Sequence, residues 1–299
     1  MSHLREYRYH FRTFWLFIYS DSKTIILPST LFGIANAEAA SRYGITLAHP
    51  IIHGNALARV PLVLCWVVVN FAPFVINNQS TRASIVEDTI NKPWRPLPSG
   101  RLSPAHANAV IYPLYVAAQL FNALIGLGTR QGMILVPLGA WYNNYGGGDG
   151  GPVTRSTINA LGYLCFISGA LEVAMGAELS FHDNGVFTRW LCVIAGIVLT
   201  TVHTQDLYDQ KGDAARGRLT LPLAIGDMWA RWVLVFWMLV WGFVCPFFWG
   251  KGLYISLLSV AMALCICCRT VRYRDESSDR ATFVVWNIWM SFVYILPLL

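Results

Sequence analysis

Long apolar stretches separated by short polar ones run the length of the chain. A helix needs about 20 apolar residues to cross a bilayer. By that measure nine spans are expected, at roughly 13–37, 55–77, 104–127, 131–145, 157–177, 187–204, 230–249, 253–271 and 281–298. The fourth is short, and the first contains Asp21 and Lys23, so neither reads as simple lipid-facing helix. The pattern predicts an all-α membrane protein.

Composition agrees. Of 299 residues, 55% are hydrophobic and only 13% are charged, about half the charge of a soluble domain. The mean hydropathy is +0.47. Too few charges remain to cover a water-soluble globule, and the abundance of aromatic side chains excludes disorder. The net charge of +6 reads as topology rather than nucleic-acid binding, because every basic segment is flanked by membrane-length apolar runs. Sixteen Lys and Arg fall in the N-terminus and in alternate loops, five fall on the other side, and Lys23 lies inside the first span. That asymmetry places the N-terminus in the cytoplasm. No cleaved signal segment is expected, since the first apolar run carries charges and has no small-residue cleavage site. The seven cysteines match no zinc spacing. Cys265, Cys267 and Cys268 read as apolar filler at a helix end, with palmitoylation as the alternative.

Two cytoplasmic loops stand out. Through Asn91 the first reads as a helix continuing from the second span, ended by Pro93, Pro96 and Pro98. Asn77, Thr81, Ser84, Asp88 and Asn91 then share one face. In the second loop Asp206, Asp209 and Asp213 are spaced i, i+3 and i+7, again on one face. Three stacked carboxylates repel one another unless a cation lies among them. Oxygen ligands suit Mg²⁺, which binds one or two carboxylates together with substrate phosphates. Two such loops, four spans apart, predict two repeated helix bundles (about 13–145 and 157–271, then the last helix 281–298) within a single domain over 1–299. Metal ions between the bundles and basic residues beside them would hold a diphosphate.

These residues resemble the UbiA superfamily of intramembrane prenyltransferases. The second motif matches as Asp206-x-x-Asp209-x-x-x-Asp213, followed by Arg218 and Thr220-Leu221-Pro222. The tail of the first matches as Asp88-x-x-Asn91-x-Pro93-x-Arg95-Pro96-x-Pro98-Ser99-Gly100-Arg101. The resemblance implies nine helices around a central cavity capped by two Asp-rich cytoplasmic loops, with Mg²⁺ as cofactor. The head of the first motif departs from the family. Where Asn-Asp-x-x-Asp-x-x-x-Asp is usual, this chain has Ser80, Thr81, Ser84 and Asp88, with Glu87 added and Asn78-Gln79 nearby. The altered motif, together with the Trp141–Asp149 stretch, is more similar to fungal UbiA-type membrane-bound sesquiterpene cyclases of the bergamotene-forming kind.

The resemblance implies a class I terpene cyclase acting on farnesyl diphosphate. Asp88, Asp206, Asp209 and Asp213 carry the chemistry, and Glu87, Asn78 and Asn91 join them as metal ligands. Lys92, Arg95, Arg155, Lys211 and Arg218 are the candidates to neutralise the leaving diphosphate. Asn159 and Glu172 are polar candidates inside the fifth span. A prenyltransferase sharing the ionisation step is the second reading, with Tyr142, Asp21 or Asn144 as its base. A carrier is the third, disfavoured because the polar residues cluster at loop mouths. The expected surroundings are the endoplasmic reticulum membrane and its lipid, with a prenyl diphosphate as substrate and no obligatory protein partner.

Overall fold

The computed structural model describes residues 2–45, 56–179 and 185–299, and among these there is no strand. The first residue of the second expected span, 55, lies outside the described residues. The chain folds into α1 (Ser2–Asp21), α2 (Leu27–Glu38), α3 (Val60–Ser80), α4 (Arg82–Asn91), α5 (Pro104–Ile125), α6 (Thr129–Asn143) and α7 (Pro152–Met175). It continues through α8 (Gly185–Thr201), α9 (Asp206–Arg216), α10 (Leu221–Ile225), α11 (Asp227–Phe248), α12 (Leu253–Arg272) and α13 (Glu276–Ile295). Six helical stretches are long and apolar enough to cross a membrane: Ala56–Ser80, Pro104–Ile125, Pro152–Met175, Gly185–Arg216, Asp227–Phe248 and Leu253–Arg272. The helices at the first, fourth and ninth expected spans are not among the six.

Local chemistry sets the boundaries. Proline occupies the first turn of α2, α3, α5, α7 and α10, where its missing N–H costs nothing. Gly126, Gly176 and Gly217 end α5, α7 and α9 in the left-handed conformation.

Two expected continuous helices are broken. The first span changes to a π-helical turn over Ser22–Ile26 between α1 and α2. The polar extension of α3 stops at Ser80. Thr81 is extended (φ −76°, ψ 154°), and its hydroxyl accepts the Ser84 N–H at 3.1 Å, starting α4 as a separate helix. A capping threonine competes with helix continuation, and its effect is hard to foresee inside a polar run.

Close approach of helices depends on small residues, as is usual where lipid supplies no hydrophobic drive between helices. A Cβ on Gly33 would lie 2.6 Å from the Ala170 carbonyl oxygen, so α2 and α7 are in backbone contact. The ring of fully buried Trp66 sits where a Cβ of Gly169 would be, at 2.1 Å. Asn36 of α2 donates to the Tyr294 carbonyl of α13 at 2.9 Å and accepts from the Tyr43 hydroxyl. The same device joins the polar loops. Asn91 donates to the Asp209 carbonyl at 2.9 Å and accepts the Gly212 N–H at 3.1 Å. A Cβ on Gly212 would lie 2.2 Å from the Asn91 amide nitrogen.

Gly169→Ala is expected to cost about 1–3 kcal/mol through overpacking against Trp66, measured as thermal unfolding in detergent, whereas Gly252→Ala, which meets nothing within 4 Å, leaves the transition in place. Gly212→Ala and Asn91→Ala should each lower the transition. The double variant should be less destabilised than the two single effects combined, because removing the amide relieves the clash.

Candidate active site

α4 and α9 face each other, and the Asn91 amide sets their spacing, so the carboxylates of both helices and the cations that follow them fall into one cluster. Asp88 takes two hydrogen bonds from Arg95, at 2.8 and 2.9 Å. The Arg95 guanidinium also lies 3.6 Å from Asp21. Lys92 donates to Asp209 at 2.8 Å, and Arg155 of α7 lies 2.8 Å from Asp206. Arg218 reaches both Glu87 and Asp213 at 3.3 Å. Arg216 bonds Glu87 at 3.0 Å and the Ser84 hydroxyl at 2.7 Å.

Asp149 holds both of these arginines, at 3.0 Å each. It comes from the glycine-rich turn after α6, whose tightness is required: a Cβ on Gly148 would press the Tyr142 carbonyl at 2.9 Å. Asp149 and Arg216 are absent from the sequence-derived set. The glycine run was the available signal for the first, but it carries no information on which helix the turn packs against.

The electrostatics are those of a crowded, mostly buried site. Burial raises the Asp88 carboxyl, and Arg95 and Lys92 only partly oppose it, so its pKa is above the ordinary value. Glu87 goes the other way. Burial again acts upward, but Arg218, Lys92 and Arg216 together outweigh it and hold the carboxyl below its usual range. Asp149 is likewise lowered, because hydrogen bonds from Arg216 and Arg218 overcome its partial burial. Such pairs are costly to break singly, since the partner is left as an uncompensated buried charge.

Beneath the cluster lies a cavity of about 1090 Å³ of empty space, counting its open mouth. Asp21, Glu87, Lys92, Arg95, Arg155, Asp209, Asp213 and Arg218 line it, with Asn78, Asn159 and Gln205. Arg155 and Phe166 both line it from α7, so it follows that helix for roughly 16 Å at 1.5 Å per residue. Apart from Thr24 and Asn70, its remaining wall is apolar and aromatic. Phe71 and Phe166 pack edge to face at 5.8 Å, and Phe74 and Tyr142 at 5.6 Å.

Several sequence-derived candidates sit elsewhere. The Lys211 side chain is 80% exposed, points to Glu276 at 3.8 Å and does not line the cavity. It lies two positions from Asp209 and Asp213, which on a helix turns it to another face. Glu172 does not line the cavity: it accepts from Gly128 N–H, Gln131 and Leu179 N–H and pairs with Arg130. Asn91 has its amide engaged on the α9 backbone, and Asn144 accepts from Asn77.

The free valences of the cluster bear on a metal. Asp209 Oδ1, Asp213 Oδ2 and Asn78 Oδ1 are buried oxygens without a hydrogen-bond partner. Arg95 Nε, Arg155 Nε and Arg218 Nη2 are buried donors without one. Unmet acceptors suit a cation, and unmet donors suit an oxyanion. Among the described residues no three His, Cys, Asp or Glu side chains are grouped closely enough to hold a metal by themselves. This donor set fits Mg²⁺ in the mode that completes its shell with water and substrate phosphate oxygens.

Comparison with known proteins agrees with this architecture. The chain is 29% identical over 96% of its length to the fumagillin beta-trans-bergamotene synthase of Aspergillus fumigatus, covering 92% of that protein. It is 30% identical to a polyprenyl transferase of Hericium erinaceus over 75% of this chain and 72% of that one. Among solved structures, a UbiA homolog from Archaeoglobus fulgidus bound to GPP and Mg²⁺ superposes with a TM-score of 0.65 at 14% identity, covering 96% of this chain and all of that one. Residues 27–293 match the UbiA prenyltransferase family, and the chain belongs to that family.

Proposed function

We propose that this protein is a Mg²⁺-dependent class I terpene cyclase of the membrane, which ionises farnesyl diphosphate, closes the resulting cation and, with loss of a proton to the released diphosphate, yields a sesquiterpene hydrocarbon. The observation that carries the reading is the union of two environments in one cavity. A charged mouth with unmet donors and acceptors opens onto an aromatic-walled pocket. The similarity to a bergamotene synthase along nearly the whole chain supports it. In this reading the chain crosses the membrane nine times, in the endoplasmic reticulum, with the mouth and N-terminus cytoplasmic.

The residues divide the work. Asp209, Asp213, Asp206 and Asp88, with Glu87 and Asn78, would hold the metal ions, whose charge would offset that of the leaving diphosphate. Arg155, Arg218, Lys92 and Arg95 offer donors to the phosphate oxygens as negative charge builds on the leaving group. The ring faces of Phe71, Phe74, Tyr142, Tyr163 and Phe166 then face an allylic cation, stabilise it through their quadrupoles and exclude water. A second reading, transfer of the prenyl group to an acceptor, is favoured by one feature. Asp21 lines the same cavity, where its carboxylate is placed to take a proton from an acceptor.

Purified protein given farnesyl diphosphate and Mg²⁺ with no acceptor should release a cyclic hydrocarbon, detected by gas chromatography–mass spectrometry. Turnover that begins only when an acceptor is added would replace the cyclase reading by the transferase. Asp209→Asn and Arg218→Gln should each lower kcat roughly 100- to 1000-fold, the scale seen when one electrostatic contact to a transition state is removed. Phe166→Ala should keep diphosphate release and alter the product spectrum, since it changes the wall and not the mouth.

A further inference from the structure

Beside the main cavity lies a second hollow of about 800 Å³ of empty space, counting its open mouth. Asp21, Lys92, Arg95, Gln205 and Asp209 line both, so the two share a wall. On its other side the second hollow is bounded by Lys23, Arg280, Tyr208 and Phe283. Lys92 and Arg95 on the shared wall are already paired, with Asp209 and with Asp88 and Asp21, which leaves Lys23 and Arg280 as the cations particular to this hollow.

The arrangement of those cations is specific. The π-helical turn Ser22–Ile26 carries Lys23, and such turns concentrate at functional positions. The Lys23 ammonium lies 5.8 Å from the Phe283 ring centre. Among the described residues, no carboxylate stands within ion-pair distance of it. The Arg280 guanidinium lies 4.9 Å from the Tyr208 ring and Lys92 5.9 Å from the same ring. The two rings are 5.8 Å apart, so three cations share one aromatic floor. Arg280 is paired with Glu276 at 3.1 Å, but both are well exposed, and such a pair contributes little. Lys23 and the weakly held Arg280 are therefore the two cations with charge to offer an entering anion, and each repels the other until one is present.

We propose that this hollow is a second anion site that receives inorganic pyrophosphate as it leaves the main cavity. Lys23 and Arg280 are its own ligands, and Lys92, on the shared wall, serves both sites. The assignment of pyrophosphate as the anion rests on the diphosphate-ionising function proposed above. A lipid phosphate has the same chemistry but arrives from outside, whereas the shared wall connects this hollow to the place where diphosphate is released.

The test is calorimetric titration of the full-length protein in detergent with pyrophosphate and Mg²⁺. Two binding events are expected for the wild type. In Lys23→Met/Arg280→Gln one of them should weaken by about tenfold or more, the scale of losing charged hydrogen bonds. Binding of a non-hydrolysable farnesyl thiolodiphosphate should stay unchanged in the variant, which also reports that it is folded, and Lys23→Arg should retain both events. A single event in the wild type, or an unaltered isotherm in the variant, overturns the proposal. So does a second site that short-chain phosphatidic acid fills and pyrophosphate does not, or a variant that loses thiolodiphosphate binding as well while Lys23→Arg keeps it. An absence of turnover in the wild type would count against the enzymatic reading, while the binding comparison would still decide the second site.

Discussion

Two polar helices, α4 and α9, lie against each other in a protein that is otherwise mostly apolar, and the amide of Asn91 holds them there. It bonds the Asp209 carbonyl and the Gly212 N–H, and only glycine at 212 permits the approach. That spacing brings Asp88 and Glu87 within reach of the cations that surround Asp206, Asp209 and Asp213. Lys92, Arg216 and Arg218 bridge the same two segments by ion pairs.

The cluster so formed is internally balanced. Each carboxylate has a basic partner, and Arg218 bridges Glu87, Asp213 and Asp149. Desolvating so many charges is unfavourable, and mutual pairing in low dielectric offsets it only when geometry is good. Some atoms are left unpaired on both sides of the charge balance, and these suit the cation and oxyanion proposed for the site. The Glu87 carboxyl, held low by three neighbouring cations, stays ionised where Asp88 beside it is pushed up. One added carboxylate thus offsets part of the charge missing from the first motif.

The aromatic wall and the second hollow follow from features further along the same helices. Phe166 is three turns beyond Arg155 on α7, so a single helix carries both ends of the cavity. The π-helical turn after α1 begins directly behind Asp21 and carries Lys23, and both side chains line the second hollow.

Much of this was legible in the chain itself. Hydrophobic run length marked the positions of the long helices, because the cost of unsatisfied backbone in lipid forces helix wherever a run is long enough. The spacing of Asp206, Asp209 and Asp213 placed them on one face, and they are all buried there. Which side chains meet across helices was not legible, because i, i+3 and i+4 spacing describes one helix and says nothing of its neighbour. Lys211 shared a motif with the aspartates but faces out, and Asp149 sat in a glycine run yet closes the cluster. Of the many aromatic residues, packing alone selected the five that line the cavity. Periodicity determined the elements; tertiary contact decided the site, since pairing across helices depends on the small residues that let backbones approach.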